Sequence, residues 1–423
     1  ARRAVTLAKI EYEEATPLLT IDAAMEANSR FEDGPRIYEK GDVDQAISSA
    51  AHVIEGRIEM GGQEHFYLEG QAAMVMPQDN GDMIVHSSTQ HPTEIQHKVA
   101  HALHLPMNGV RVETRRMGGG FGGKESQGNH LAIACALIAH RTGLPAKMRY
   151  DRDDDFMITG KRHDFRIDYR VGVNDEGRIA GVEFTQMTRC GWALDLSLPV
   201  ADRAMLHADN AYHLPAARIT SHRLRTHTQS ATAFRGFGGP QGVVGIEPMA
   251  GGAQTTPYHM EVTDFLLNGL TEKLATDCNY AARKAAIAEW NAGQPLLKKG
   301  IALTPVKFGI SFTLTHLNQA GALVHVYADG SVHMNHGGTE MGQGLNQKVA
   351  QVAADRFGIS PDMVKITATD TGKVPNTSAT AASSGSDLNG MAVKAACDTI
   401  RDRMAEYLAT EHQVKTHQVR FAD

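Results

Sequence analysis

Two stretches of the chain alternate apolar and polar residues with the period of two that is typical of β-strands. Residues 165–191 alternate on either side of the turn-forming run 174–177, and residues 322–334 alternate around the run 328–330. Successive side chains of a strand point to opposite faces, so an alternating pattern interrupted by turn formers predicts a β-hairpin. The sequence therefore predicts two hairpins, one in each half of the chain.

Elsewhere the apolar residues recur every three or four positions, which is the spacing of an amphipathic helix. Short patterns of this kind cover residues 43–53 and 93–103. Longer ones predict helices over residues 129–141, 261–290, 345–356 and 391–408. Strand and helix patterns alternate without the regular spacing of a doubly wound sheet. We therefore predict an α+β fold with mixed sheets and packed helices, in several domains.

The length of 423 residues exceeds the usual size of one hydrophobic core. Residues 249–257 are rich in turn formers and are the predicted domain boundary. The chain passes almost at once into the strand-like residues 5–10, as in the middle of a domain. We therefore expect residues 1–20 to be the remnant of a preceding α/β domain, followed by domains over residues 21–250 and 251–423.

Charge and cysteine content narrow the functional classes. The formal net charge of −6 implies no basic face for nucleic acid. The sequence contains no apolar run long enough for a membrane span and no secretory signal at its start. The four cysteines are scattered without a CxxC pair, which gives no support to a disulfide framework, a zinc ribbon or an iron–sulfur cluster. We expect a cytoplasmic protein with reduced thiols.

Glycine concentrates in loops that also carry small hydroxyl or amide residues. Because glycine lets the backbone approach a ligand closely, the N–H groups of such loops can bind phosphate or ring oxygens. A single loop of this kind is most often only a turn, but several together indicate one large anionic cofactor held from several sides. The loops are loop 1 (residues 118–125), loop 2 (residues 235–241), loop 3 (residues 337–344) and loop 4 (residues 380–386).

Loop 1 imitates two nucleotide-binding motifs and fits neither. Gly118, Gly120 and Gly123 satisfy G-x-G-x-x-G, yet no acidic strand end of the ribose-binding kind follows. The loop also satisfies G-x-x-x-x-G-K, but Glu125 stands where a P-loop requires a Ser or Thr hydroxyl for magnesium. A carboxylate at that position repels a triphosphate, so the sequence argues against nucleotide binding here.

Several long strings resemble the molybdenum domain of the xanthine dehydrogenase family. The resemblance covers nearly the whole chain, with the strings in the same order, and implies that family's multi-domain molybdopterin-binding architecture. Residues 21–250 would then be the first molybdopterin-binding domain, and residues 251–423 the N-terminal part of the second. The strings are residues 116–125 (RMGGGFGGKE), 232–241 (TAFRGFGGPQ), 307–313 (KFGISFT) and 337–344 (GGTEMGQG).

The resemblance implies a molybdenum ion held by the dithiolene of a pyranopterin, with no protein side chain as a direct ligand. Two histidine pairs, His101 with His104 and His333 with His336, could be proposed as metal ligands, but ordinary surface or core histidines are the simpler interpretation. Gln90 would donate a hydrogen bond to a ligand oxygen on molybdenum. The residues implied to hold the pterin and its phosphate are Gly119, Gly120, Phe121, Gly122, Arg235, Gln343, Ala381, Ala382, Ser383, Ser384 and Ser386.

The resemblance also implies a pocket for a purine such as xanthine or hypoxanthine. Glu125 would hydrogen-bond the purine edge, and Arg203 would face a carbonyl oxygen and stabilise negative charge on it. Phe237 and Phe312 would sandwich the heterocycle, with Thr313 beside them. Taken singly, the glutamate suits a helix N-terminus, the arginine a surface ion pair and the rings an ordinary core. Aldehyde oxidases share the loops but lack the Glu/Arg pair.

The implied reaction is hydroxylation of a purine carbon with water as the oxygen source. Family members carry a general-base glutamate in a Val-Gly-Glu string, and this sequence contains none. We therefore expect a fragment that is incomplete without the remaining molybdenum-domain segment. We also expect it to belong to an oligomer with Fe–S and FAD domains that pass electrons to NAD or oxygen. Two alternatives remain: a hydroxylase of aldehydes or other N-heterocycles, and a scaffold subunit without cofactor.

Overall fold

The computed structural model describes residues 6–246, 255–263 and 266–422 of the chain. Within these residues the fold mixes helices with three sheets, as predicted. The strands are β1 (Arg36–Lys40), β2 (His52–Met60), β3 (Ala72–Pro77), β4 (Met83–Ser87), β5 (Val110–Thr114), β6 (Ala146–Arg149), β7 (Asp164–Val173), β8 (Ile179–Gly191), β9 (Ala216–Arg225), β10 (Ala322–Val326), β11 (Val332–His336), β12 (Val364–Ile366) and β13 (Thr369–Asp370).

α-Helices pack against each of the three sheets. Short 3₁₀ turns at Met107–Gly109, Thr315–Leu317, Pro361–Met363 and Thr416–Gln418 link some of the elements. The α-helices are α1 (Ile21–Glu26), α2 (Val43–Ser48), α3 (Pro92–Leu103), α4 (Asn129–Thr142), α5 (Arg152–Ile158), α6 (Ser197–Leu206), α7 (Gly239–Val244), α8 (Leu267–Asp277), α9 (Tyr280–Ala292), α10 (Leu345–Phe357) and α11 (Gly385–Glu411).

The first sheet has the order β1-β9-β8-β7-β2 and is antiparallel except for the parallel pair β8 and β9. Alternate residues of β8 face one side of it. Val182 and Phe184 are buried there with Ile219 of β9 and Met205 of α6 in one apolar core. This packing fixes α6 against the sheet and so places Arg203, which lies on the same helix.

The second sheet has the order β13-β5-β4-β3-β6, and α3 and α4 pack on it. Val75, Val85, Val99 and Leu131 belong to the core between them. Strand β13 pairs with β5 although it lies far along the chain, in the predicted C-terminal domain. The sheet nearest loop 1 is therefore completed by a segment that also leads into loop 4.

The third sheet has the order β10-β11-β12 and packs against α10 and α11 around Met334, Val349 and Val393. Helix α10 is bounded by two glycines in the left-handed region, Gly344 at φ +76° and Gly358 at φ +66°. Left-handed residues end helices because they turn the backbone out of the helical path. Loop 3 therefore runs directly into α10, as the sequence predicted.

Most of the elements predicted from hydrophobic spacing are confirmed. Both hairpins form, as β7 with β8 and β10 with β11, and helices α3, α4 and α10 match their predicted ranges closely. Helix α11 is longer than predicted, since it begins at the end of loop 4.

Three local predictions are wrong. The predicted helix over residues 43–53 ends at Ser48, because His52 onward pairs with β7 as a strand. The predicted helix over residues 261–290 is broken into α8 and α9, since Asn279 takes a left-handed conformation at φ +51°. Residues 6 and 7 are helical and residues 8–10 irregular, so no strand forms there.

Most of the predicted boundary, residues 249–254, lies outside the described residues, and so does Val5. The division into residues 1–20, 21–250 and 251–423 stays a prediction. Among the helices of the described residues, none combines the length and the apolar character that crossing a bilayer requires.

Candidate active site

The side chain of Gln90, buried directly before α3, ties loop 1 to loop 4. Its Oε1 accepts hydrogen bonds from the N–H groups of Gly122 at 2.9 Å and Lys124 at 3.3 Å. Its Nε2 donates to the carbonyl of Thr380 at 3.1 Å. Gln90 also makes backbone hydrogen bonds with both loops, to Lys124 and from Thr380. One amide therefore fixes two loops that are far apart in sequence.

Loop 3 joins the same assembly through two hydrogen bonds. The Met117 N–H donates to the Glu340 carbonyl at 3.0 Å, and the Thr339 N–H donates to the Thr380 hydroxyl at 2.7 Å. Loop 2 is preceded by Ala233, whose backbone packs so closely on Gly122 that a Cβ there would meet it at 2.8 Å. The structure thus brings the four glycine-rich loops together at one place.

Loop 1 presents free backbone N–H groups in a concave turn. Gly119 has φ +92° and Phe121 has φ +52°, both in the left-handed region. The N–H groups of Gly119, Gly120 and Phe121 donate no hydrogen bond within the described residues. Successive N–H groups in such a conformation form a nest that binds anions. Loop 1 therefore has the backbone geometry of an anion-binding nest.

Loop 4 has a similar geometry. Ala382 and Ser383 take φ values of +56° and +58°, and they lead into the N-terminus of α11 at Gly385. Ser384 is buried, and its hydroxyl donates to the Ala381 carbonyl at 3.3 Å. The first N–H groups of a helix are free to bind an anion. Loop 4 therefore adds a second anion-binding element beside Gln90, with Ser386 in the first turn of the helix.

Two residues that the resemblance implies as cofactor ligands have other contacts in the structure. The Gln343 amide braces its own loop, accepting from the Met341 N–H at 2.7 Å and donating to the Thr339 carbonyl at 3.0 Å. Arg235 is exposed, and its carbonyl accepts a hydrogen bond from Arg162 at 2.9 Å. The exposed Arg235 side chain is free to reach a ligand, whereas Gln343 first stabilises the shape of loop 3.

A buried lysine anchors loop 1 from behind. Lys124 is fully buried, and its Nζ lies 3.0 Å from Glu69 Oε2 and 4.8 Å from the ring centre of Tyr67. Glu69 also accepts from the Gly118 N–H at 2.9 Å. Burial works against its carboxylate, but the Gly118 N–H and the Lys124 charge together lower the pKa of Glu69. Glu69 thus contacts Gly118 at the start of loop 1 and Lys124 near its end, and so fixes both ends of the glycine-rich run.

We expect Glu69→Gln to destabilise the protein by about 1–3 kcal/mol, because it leaves the Lys124 charge buried without a counter-charge. This loss of stability is smaller than that expected for a fully buried ion pair, because the Glu69 side chain is 42% exposed. The shift of the denaturant midpoint of the full-length protein measures the effect. Glu289→Gln, on exposed α9, is the matched control and leaves the midpoint unchanged; an equal shift in both variants contradicts the prediction.

Glu125 closes loop 1 as a buried acid, 5% exposed. Burial and, to a smaller extent, the charge of the neighbouring Asp195 raise the pKa of Glu125, Arg203 opposes them, and the resulting pKa is about 8. Within the described residues the Glu125 side chain makes no hydrogen bond and no ion pair shorter than 4.0 Å. At neutral pH this carboxyl is therefore protonated and available to a ligand.

Arg203 projects from α6 and is 1% exposed. Its two terminal nitrogens donate to the carbonyls of Gly309 and Ser311, while its buried Nε has no partner among the described residues. Its guanidinium carbon lies 5.7 Å from the ring centre of Phe237 and 5.2 Å from that of Phe308. Burial lowers the pKa of Arg203, and the charge of Glu125 opposes that shift.

Glu125 and Arg203 therefore influence each other's charge without touching. Phe237, which lies beside Arg203, also contacts Phe312, and the two ring centres are 6.0 Å apart with planes at 87°. Both rings are buried with Ala381 and Ala382. A planar ligand that slips beside two perpendicular rings meets one by its face and the other by its edge, and both arrangements are favourable.

A cleft of about 730 Å³ opens onto this group, and Glu125, Asp195 and Phe312 line it. Thr313 lies next to Phe312, but its hydroxyl donates to the Pro199 carbonyl at 3.2 Å and so braces α6. Its volume is large enough to hold a fused heterocycle, and Glu125 forms part of its wall.

Metal-ligand chemistry finds no support in the part of the chain that the structure describes, where no group of three or more His, Cys, Asp or Glu side chains could hold an ion. His101 and His104 lie at the end of α3 and His333 and His336 on β11. Burial lowers the pKa of His336 to about 4, as expected of a core histidine.

Sequence reasoning missed Asp195, Lys124 and Glu69. Asp195 lies between β8 and α6 with φ +42°, a left-handed conformation that no motif in the local sequence predicts. Lys124 was considered only as part of a nucleotide motif. The one available signal for the ion pair was a lysine among glycines, which has to find a counter-charge when the loop is buried.

The sequence matches a family described as "Molybdopterin cofactor-binding domain" over residues 29–251, and a second domain of the same description over residues 273–423. The chain belongs to this family. It is 43% identical to a xanthine dehydrogenase of Drosophila subobscura over 426 residues, which are 96% of this chain and 32% of that protein. It is also 43% identical to a xanthine dehydrogenase/oxidase of Gallus gallus over 96% of this chain and 31% of that protein. The chain thus spans about a third of the length of these relatives.

Solved structures share the fold at low sequence identity. An aldehyde oxidoreductase from Desulfovibrio gigas superposes with a TM-score of 0.80 at 21% identity, covering 94% of this chain and 46% of that one. A quinoline 2-oxidoreductase from Pseudomonas putida 86 superposes with a TM-score of 0.76 at 18% identity, covering 100% of this chain and 59% of that one. The predicted architecture is confirmed.

The residues present fit the molybdopterin that the family implies. The nest of loop 1 and the helix N-terminus after loop 4 offer N–H donors to a phosphate or a pterin ring oxygen. A Cβ on Gly120 would lie 2.5 Å from the Gln90 Oε1, so the cradle depends on glycine.

Proposed function

We propose that this chain is the molybdenum-binding part of a hydroxylase that acts on purines such as xanthine and hypoxanthine. The observation that carries the proposal is the pair Glu125 and Arg203. Both are buried, they influence each other's charge, and no direct ion pair joins them within 4.0 Å. Such a gap between an acid and a guanidinium suits a ligand with hydrogen-bonding groups at both ends of a flat ring.

The bound molybdenum–pterin group supplies the oxygen transfer and accepts the electrons. The residues of this chain bind and orient the purine. Protonated Glu125 donates to a ring nitrogen or oxygen, and Arg203 faces a carbonyl oxygen on which negative charge develops. Phe237 and Phe312 hold the ring plane. Gln90 has one Nε2 hydrogen left after its bond to Thr380 and can direct it toward the cofactor.

The remaining machinery is proposed to lie outside this chain. The general base belongs to the missing molybdenum-domain segment, and electrons pass to Fe–S clusters, FAD and NAD or oxygen on other domains or subunits. Relatives about three times as long as this chain support that arrangement. An oligomeric assembly and a cytoplasmic location belong to the same proposal.

Purification of the full-length protein tests the proposal. We expect stoichiometric molybdenum and pterin, and oxidation of xanthine with ¹⁸O from labelled water in the product. Protein without metal or pterin would support a scaffold subunit instead. Full cofactor with turnover of aldehydes or quinoline-type heterocycles, but not of xanthine, would support the related hydroxylases and overturn the purine assignment.

A further inference from the structure

Asp195 is a second acid in the purine cleft that no step above uses. It lies in the connection between β8 and α6, lines the same cleft as Glu125 and has a left-handed backbone at φ +42°. Only glycine, asparagine and aspartate adopt this region readily, so the fold places a short acidic side chain here at a conformational cost. Its carboxylate lies within hydrogen-bond distance of Gln127, which follows loop 1 in the chain.

Polar groups from several elements hold the Asp195 carboxylate. Gln127 Nε2 donates to Asp195 Oδ2 at 3.4 Å. Burial raises the pKa of Asp195, and the Ser126 and Thr232 hydroxyls oppose that rise because they stabilise the ionised form. The hydroxyl oxygens of Ser126 and Thr232 lie 3.4 Å apart. Ser126 follows Glu125 in the chain, and Thr232 lies shortly before loop 2. None of these partners is a cation. The Asp195 carboxyl is therefore held by neutral donors that favour its ionised form, without a counter-charge among them.

The charges around Glu125 leave Asp195 as its dominant neighbour of like sign. Arg203 on α6 is the one opposing charge that acts on Glu125. The charge of Glu94 raises the pKa of Asp195 and does not act on Glu125. The Lys98 Nζ lies 3.5 Å from the Glu94 carboxylate and offsets the charge of Glu94. The other titratable groups that line the cleft are His91 at the start of α3, His130 at the start of α4, and Tyr150.

We propose that Asp195 is a positioning residue that keeps the proton on Glu125, so that the cleft presents a carboxylic O–H donor to its ligand. Two acids facing one buried space cannot both ionise without strong repulsion, so one of them keeps its proton. Asp195 has hydroxyl and amide donors to stabilise its charge and Glu125 has none. The proton therefore resides on Glu125.

This inference rests on the proposed function and specifies the chemistry of its substrate. A donor at Glu125 selects ligands that offer an acceptor there, namely an unprotonated ring nitrogen or a carbonyl oxygen. A ligand that offers only N–H groups to Glu125 would leave the carboxyl O–H without an acceptor and bind poorly.

The test uses full-length holoenzyme with Asp195→Asn, because asparagine keeps the size of the side chain and tolerates the left-handed backbone. The protonated-carboxyl infrared band of Glu125, assigned by its loss in Glu125→Gln, reports the proton directly. We expect this band to disappear near pH 8 in the wild-type protein, as the raised pKa of Glu125 implies. In Asp195→Asn it should disappear roughly one pH unit lower or more.

The alkaline limb of kcat/KM for xanthine should move by the same amount, since the donor is lost as pH rises through its pKa. Glu94→Gln is the control of opposite sign: it removes a charge that raises the pKa of Asp195 and does not act on Glu125, so the Glu125 band should not disappear at a lower pH than in the wild type. An unchanged Glu125 band in Asp195→Asn overturns the proposal, and Asp195→Gly repeats the test if Asn impairs folding. If xanthine is not a substrate at all, the purine assignment fails while the infrared titration still decides the role of Asp195.

Discussion

Arg203→Met in the full-length enzyme is expected to lower kcat/KM for xanthine by about 10²–10³-fold, the usual cost of removing one charged stabiliser from a buried site. Methionine fills the space of the arginine stem between Phe237 and Phe308 but carries no charge. Negative charge that develops on the purine oxygen then has no counter-charge in the low-dielectric pocket. Steady-state turnover of xanthine, beside turnover of a simple aldehyde, measures the loss.

The aldehyde separates recognition from general damage, because it has no second carbonyl for Arg203 to stabilise and should lose much less. Arg218→Met is the control: Arg218 pairs with Glu39 and Glu183 on the sheet and with Asp44 on α2, it does not line the cleft, and its loss should leave xanthine turnover unchanged. Turnover of xanthine within twofold of the wild type in fully loaded Arg203→Met would show that Arg203 has no part in substrate recognition.

Gly120→Ala is expected to lower the molybdenum and pterin content of the purified protein by about tenfold or more. The added Cβ would lie 2.5 Å from the Gln90 Oε1 and 2.8 Å from its Cδ. Gln90 cannot move aside without breaking its hydrogen bonds to Gly122, Lys124 and Thr380, which join loops 1 and 4. Metal analysis and pterin fluorescence of the full-length variant measure the effect.

Gly61→Ala provides the matched control for Gly120→Ala. Gly61 follows β2, its φ lies outside the left-handed region, and no atom lies within 4 Å of a Cβ built there. This variant should keep full cofactor content. If Gly120→Ala retains its cofactor as well as Gly61→Ala does, the junction at Gln90 is not needed to hold the pterin.

The amino-acid sequence by itself determined the features that are local. Glycine-rich loops, hairpin turns and helical spacing depend on residues within about a dozen positions of one another, so their pattern is visible in the chain. The strings around Glu125, Phe237 and Phe312 are recognisable for the same reason. The periodic patterns indicate the α+β architecture, and the strings indicate the molybdopterin family and the candidate pocket.

The tertiary structure alone decided how these parts meet. Gln90 reaches Thr380 across 290 positions, and β13 completes a sheet begun by β5, and neither contact leaves a local pattern. The break at Asn279 and the left-handed Asp195 depend on backbone conformations that several residue types can adopt, so packing selects them. The protonation of Glu125 is also a tertiary property, because it follows from burial and from the charge of Asp195, which lies distant in sequence but lines the same cleft.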